Sequence, residues 1–339
     1  MYRDTIRRAF RLLLSAGLCF VTLVSIGAVD GAEKPAPAAV EASAEKQSEQ
    51  PPLNTEAADR RKRAAELLRE VGLDKQQREA LTVRMGEDTS LLRLLEQEEL
   101  TRADLVYLAL PNGRSDRLDR YSAWAADHPE DAAETVVLQV NMDKDQDFYS
   151  LIWEVADPAS LTVMVNKHYT LPAGYVPELE ALGSRYGGGS MRPEAAAAFR
   201  TMADAARTDG VTLRNVSAYR SYATQKSTYN RWLSMYKRAT VDTFSARPGH
   251  SEHQTGLALD INVASTKAHF ENTPAFAWLK EHCAEYGFIL RYNQGQESIT
   301  GYRFEPWHYR YVGEEIAAVI MEQGISYEEY VALQPVWGV

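Results

Sequence analysis

Seven histidines occur in the 339 residues, and three of them fall in two short stretches: His250 and His253 in RPGHSEHQTGLALD, and His308 in FEPWHYRY. A hydrolytic zinc needs three protein ligands of imidazole or carboxylate type and one open position, usually drawn from separate segments. His253, Asp260 and His308 would supply that set. Strand alternation along GLALD sends Leu257 and Leu259 to one face and Ala258 and Asp260 to the other, so Asp260 projects from a strand whose far face is core. Glu305, three residues ahead of His308 and drawn toward extended backbone by Pro306, could act as a base on the same water. On these residues alone other readings stay open. A lone histidine in an apolar strand is more often packed and hydrogen-bonded than a ligand, and a buried Asp260 could be neutralised by Arg247 or Arg220 instead of a cation.

The elements that must position these groups are mixed. LTVMVNKHY at 161–169, VTLRNVSAY at 211–219, GLALDINV and WHYRYV read as strands. Pro193 to Arg207, opened by proline and followed by Gly210, reads as a helix, as does Tyr222 to Lys237. A further helix follows Thr273-Pro274, with Thr273 as its N-cap, and stops at Gly287. EEIAAVIMEQG closes with another. Together these predict an α+β domain over 151–339, with residues 59–150 as a helical N-terminal region in which Ala64, Ala65, Leu67, Leu68 and Val71 recur at helical spacing.

The start of the chain is of another kind. Arg3, Arg7, Arg8 and Arg11 precede the uncharged run LLLSAGLCFVTLVSIGAV, so residues 1–29 fit a secretory signal peptide or an uncleaved membrane anchor. Leu18 before Cys19 is too large for a lipoprotein site. Residues 30–58, rich in Ala, Pro, Glu and Ser, read as a disordered linker. The body is then expected to be exported, at the cell surface or in a periplasmic space. Cys283 is its one cysteine, which leaves no internal disulfide, so the core alone must stabilise it. Without residues 1–29 the chain has 33 basic against 46 acidic residues, a balance of −13 that argues against nucleic acid as a partner.

Three segments carry a resemblance. SAYRSYATQ at 217–225, RPGHSEHQTGLALDI at 247–261 and EPWHYRYVG at 305–313 resemble, in order, the signatures of the VanY-type zinc D,D-carboxypeptidases, and MVNKHYTLPAGYVPELEAL at 164–182 extends the likeness to about 160–325. The resemblance implies a fold like that of the hedgehog signalling domain and the D-Ala-D-Ala peptidases, an antiparallel sheet flanked by helices. It implies one zinc ion held by His253, Asp260 and His308, with Glu305 as general base. It further implies Arg220 at the developing oxyanion, a hydrogen bond to the substrate backbone from Gln225, and contact with the substrate's terminal carboxylate from Ser251, for which turn capping is the other reading. Among candidate substrate contacts, Tyr292 reads as lining the pocket and Trp307 as packing beneath the site more than touching substrate. His250 falls at a variable position and reads as a supporting or solvent-facing residue.

The expected activity is removal of the terminal D-Ala from peptidoglycan stem peptides by a monomeric enzyme, tethered to a membrane if residues 1–29 stay uncleaved. Two alternatives differ in kind: an L,D-carboxypeptidase acting on tetrapeptides, and a zinc-containing wall-binding module without catalysis. A serine mechanism finds S-x-x-K at Ser43–Lys46 and Ser234–Lys237, but the first lies in the linker and no K-T-G or S-x-N completes the second. No H-E-x-x-H is present.

Overall fold

A computed structural model describes residues 55–97, 99–262 and 269–336. The signal or anchor at 1–29, and the linker as far as residue 54, lie outside these. Among the described residues no helix is long and apolar enough to cross a membrane. The chain divides into two units between Leu110 and Pro111.

The first unit is helical: α1 (Thr55–Leu67), α2 (Lys75–Glu87), α3 (Thr89–Glu96) and α4 (Arg102–Leu108). Its helix starts are written in the sequence. Asp74 and Gln77 exchange reciprocal bonds ahead of α2, Thr101 and Asp104 do the same for α4, and Asp88 caps α3 through the amides of Ser90 and Leu91. Leu68, Leu81, Met85, Leu91 and Leu105 are its buried centre.

The second unit opens with α5 (Leu118–Asp127) and α6 (Ala133–Asn141). Two small pairings follow, β1 (Trp153–Glu154) parallel with β2 (Tyr169–Thr170), and β3 (Glu180–Ala181) antiparallel with β4 (Ser190–Met191). Then come α7 (Pro193–Thr208), β5 (Arg214–Ser217), α8 (Tyr222–Leu233), α9 (Arg238–Val241), β6 (Ala258–Asn262), α10 (Pro274–His282), β7 (Phe288–Leu290), α11 (Glu297–Thr300), β8 (His308–Tyr311), α12 (Glu314–Gln323) and α13 (Tyr327–Leu333). The main sheet is antiparallel throughout, in the order β5-β6-β8-β7.

One face of this sheet is core and the other is chemistry. Leu259 and Ile261 of β6, Phe288 and Leu290 of β7 and Tyr309 of β8 join Phe199 and Met202 of α7 and Leu279 of α10 in one apolar cluster. Period-two alternation then sends Asp260 and His308 to the opposite face, and the register sets them directly across from each other, with Ser217 of β5 beside Asp260. Proline at the first position of α7 and α10, and the Thr273 side chain accepting from the Phe276 amide, start those helices where sequence places them.

Two expected elements differ. Most of 161–169 is not strand; only Tyr169 pairs. Its carbonyls serve side chains instead of a ladder: Leu161 and Val163 accept from Arg310, and Thr162 accepts from the Tyr327 hydroxyl. The helix read to Lys237 ends at Leu233, and a separate short helix begins at Arg238. Residues 111–150, grouped on sequence grounds with the N-terminal helices, fall in the second unit.

Gly287 ends the turn after α10 at φ 76, where a Cβ would stand 3.0 Å from the backbone carbon of Gly313. Left-handed backbone and a backbone clash add at that position. Gly287→Ala should lower stability by roughly 2 kcal/mol or more, read as a lower midpoint in denaturant unfolding.

Candidate active site

His253 lies in a buried 3-10 turn, Glu252–Thr255, that Gly256 closes in left-handed conformation at φ 72 just ahead of β6. Its Nδ1 is 2.8 Å from the Ala218 carbonyl, so that nitrogen carries the proton and Nε2 is left as a donor atom. Nε2 is 3.5 Å from Asp260 Oδ1. From β8, His308 brings Nδ1 to 3.3 Å from the same oxygen. Asp260 Oδ1 itself is shielded from solvent and has no hydrogen-bond partner.

Such an orphaned carboxylate oxygen, flanked by two imidazole nitrogens, tests whether a metal fits. Bonds of about 2.0–2.1 Å in a tetrahedron put ligand atoms about 3.3 Å apart, close to the 3.5 and 3.3 Å from Asp260 Oδ1 to the two imidazole nitrogens, and all three donors lie within 4.8 Å of one another. His253, Asp260 and His308 form the one three-donor group of this kind among the described residues. The donor set suits zinc with its fourth position open.

Around it stands a shell that sequence reasoning missed. The Nε2 of His308 is 3.2 Å from Glu252 Oε2, which fixes the proton there and turns Nδ1 to the metal. Glu252 is itself gripped by Arg291 Nε at 2.8 Å and Arg310 Nη1 at 3.1 Å, and Glu328 of α13 takes both terminal nitrogens of Arg291. All four side chains are essentially without solvent contact. Two carboxylates facing two guanidiniums balance charge in the interior, so each is fixed in orientation. Burial opposes the Glu252 charge, but Arg291 and Arg310 outweigh it and hold the carboxyl well below the usual range. Burial also works against a charged His308, yet Asp260 and Glu252 raise it to about 9. Metal binding at Nδ1 would displace a proton held there.

Glu305 precedes β8 and brings Oε2 to 3.9 Å from His308 Nδ1. Burial pushes its carboxyl up to about 7, with Asp260 acting in the same direction and His308, Arg303 and Arg220 pulling back. A carboxyl poised near neutrality can both take and return a proton. Arg220 stands ahead of α8, with Nη1 donating to Gln225 Oε1 at 2.7 Å and Nη2 to Ser217 Oγ at 2.8 Å, and lies 4.0 Å from Asp260 Oδ2. Its charge faces the metal side in a long ion pair with Asp260, outside hydrogen-bond distance.

The remaining expected residues separate. Gln225 is buried with both amide ends used, its Nε2 on the Ala246 carbonyl at 2.7 Å, so it holds Arg220 in place. Ser251, Tyr292 and Trp307 all line the cleft, a cavity of about 550 Å³ that also contains the metal donors, Glu305 and Arg220. Tyr292 is tilted against the His308 ring at 4.9 Å, and Trp307 is one-third exposed. His250 is not solvent-facing: it is buried, with Nδ1 2.8 Å from the Asn166 carbonyl. Arg247 pairs with Asp242, not with Asp260.

Attack of water on a carbonyl beside a divalent cation, with a carboxylate to move the proton, is the chemistry of metallopeptidases. The sequence profile described as VanY D-alanyl-D-alanine carboxypeptidase matches residues 188–314. YodJ of Bacillus subtilis (strain 168), a carboxypeptidase by name, is 39% identical over 193 residues, 52% of this chain and 68% of that protein. A D-alanyl-D-alanine carboxypeptidase of Enterococcus faecalis (strain ATCC 700802 / V583) is 38% identical over 177 residues, covering 50% of this chain and 64% of its own length. Among solved structures, the LdcB LD-carboxypeptidase aligns at 36% identity with a TM-score of 0.51, over 54% of this chain and 91% of that one. The chain belongs to the VanY carboxypeptidase family and is a zinc metallocarboxypeptidase.

Removing the charge at Glu252 leaves two buried guanidiniums underpaired. Glu252→Gln should cost about 3–5 kcal/mol of stability and weaken zinc roughly 10–100-fold in the fraction that stays folded, read by unfolding and by chelator competition. Glu305 has the opposite sign. Its folded pKa lies above its ordinary 4.5, so stability is intact below that value, falls as pH rises toward about 7, and stays low beyond. Glu305→Gln should stabilise the zinc-free protein by on the order of 3 kcal/mol at pH 8, with no gain at pH 4.

Proposed function

We propose that this protein is a D,D-carboxypeptidase that removes the terminal D-Ala from peptidoglycan stem peptides. The observation that carries the reading is the orphaned Asp260 Oδ1 between His253 Nε2 and His308 Nδ1, with Glu305 alongside. His253, Asp260 and His308 hold the zinc. When bound, the ion supplies Lewis acidity that acidifies water and polarises the scissile carbonyl.

The chain's own side chains do the rest. Glu305 takes a proton from the attacking water and holds it on a carboxyl that burial has already made proton-seeking. As the tetrahedral species forms on the substrate, Arg220, oriented by Gln225 and Ser217, sets a fixed positive charge toward the oxyanion. Glu305 then returns its proton to the departing D-Ala amine. Ser251 is buried against the cleft two residues before His253, its hydroxyl without a side-chain hydrogen bond among the described residues, and it meets the substrate's terminal carboxylate.

The same chemistry on a tetrapeptide would make the protein an L,D-carboxypeptidase, and the alignment with the LdcB LD-carboxypeptidase favours that as the second reading. The two differ only in the residue before the scissile bond. For location, the basic residues and apolar run of 1–29 support an exported enzyme, held at a membrane if that segment is retained, with the Pro- and Ala-rich stretch after it as a spacer.

D-Ala release from synthetic penta- and tetrapeptides by the zinc-loaded protein tests these readings. Release from the pentapeptide in preference is expected. Chelation should abolish it and zinc restore it, kcat/KM should follow a bell-shaped pH profile, and Glu305→Gln should lower kcat by at least about 100-fold while zinc stays bound. Release from neither peptide by the zinc-loaded protein would favour a wall-binding module without catalysis.

A further inference from the structure

The cleft continues past the metal site onto a surface that the chemistry above does not use. Trp232 of α8, Tyr236 in the turn after it and Phe244 after α9 form an aromatic shelf, with Trp232 and Tyr236 each edge-on to Phe244 at 5.4 and 6.0 Å. Tyr236 is half exposed. Two arginines flank the shelf. The Arg303 guanidinium lies 4.4 Å above the Phe244 ring and that of Arg231 lies 5.6 Å from Trp232. The Arg303 amide donates to the Thr243 carbonyl at 3.0 Å, which ties the segment before β8 to the shelf.

Both guanidiniums line the cleft, and neither forms a salt bridge with a carboxylate among the described residues. A guanidinium laid over a ring has its face occupied and its N–H edge free, the arrangement that accepts a carboxylate in two parallel bonds. The exposed body carries a net negative charge, so an acidic substrate is repelled at long range unless cations are set locally in the cleft. The other charged groups and histidines facing this space are Arg220, His253, Asp260, Glu305 and His308, already assigned to catalysis or metal binding, and Glu252, already paired.

From this we infer that Arg303 and Arg231, on the Trp232–Phe244 shelf, form a subsite for a carboxylate on the stem peptide upstream of the scissile bond. This rests on the carboxypeptidase reading and deepens it. Stem peptides offer that carboxylate in two places: the side chain of a diaminopimelate in third position, where lysine would have none, and the α-carboxylate of a γ-linked glutamate in second position.

The test compares zinc-loaded full-length wild type with Arg303→Gln and Arg231→Gln on pentapeptides that differ by one carboxylate. One pair has diaminopimelate or lysine third; the other has glutamate or its α-amide second. A charge-assisted pair predicts that the wild type prefers the acidic member of one pair by about tenfold or more in kcat/KM, that salt shrinks the preference, and that Arg303→Gln reduces it below about threefold. Which pair shows the preference identifies the carboxylate. Because Arg303 also acts on Glu305 electrostatically, the ratio between peptides is the reading, and effects on the base cancel in it. Equal rates within both pairs, or a wild-type ratio that survives in both variants, overturns the subsite alone. Cleavage of no peptide overturns the carboxypeptidase reading and this one with it.

Discussion

The site depends on one cross-strand pair. Asp260 and His308 are opposite each other in an antiparallel ladder, on the face turned away from the core. A shift of one residue in either strand would send one of them into the apolar cluster with Leu259 and Tyr309. The burial of Leu259, Ile261 and Tyr309 therefore does more than stabilise the sheet; it fixes the register, and the register builds two-thirds of the proposed metal site. His253 completes it from a turn that Gly256 closes immediately before the same strand.

Holding three donors at a common spacing requires outside support, since an imidazole free to flip presents the wrong nitrogen. The Ala218 carbonyl settles His253, and Glu252 settles His308. Glu252 reaches back through Arg291 to Glu328, so α13, distant in sequence from the turn at His253, stands behind the orientation of a ligand. Arg310, the other guanidinium on Glu252, takes the carbonyls of Leu161 and Val163, and the Tyr327 hydroxyl takes that of Thr162, so that stretch, strand-like in its alternation, spends its acceptors on side chains. A fully paired interior of charge sits behind His308, while burial, with Asp260 acting in the same direction, is what raises the Glu305 carboxyl toward neutrality.

What the sequence made legible were groups whose role is local or whose spacing is diagnostic. The helix starts at Pro193 and Thr273, the alternation of GLALD and the grouping of His253, Asp260, His308 and Glu305 follow from neighbours within a few residues or from the family signatures. Glu252, Arg291, Arg310 and Glu328 were not legible, because each looks like an ordinary surface charge until the fold brings them together over separations of 37 to 58 residues. Buried arginines in ILRY and HYRY, one just past β7 and one within β8, were the available signal: an arginine in an apolar run demands a carboxylate partner. Gln225 illustrates a different limit. Its proximity to Arg220 was readable, but only the Ala246 carbonyl shows that its second amide end is taken within the chain.

The central claim, that strand register and the Glu252 shell create a three-donor zinc site with its base alongside, is tested most directly by anomalous diffraction at the zinc edge from crystals of the metal-loaded protein. Expected is one ion bonded to His253 Nε2, Asp260 Oδ1 and His308 Nδ1, with Glu252 still on His308 Nε2 and Glu305 near the ion but unbonded. An ion ligated by Glu305 or Glu252, or one bound through His308 Nε2, would contradict it.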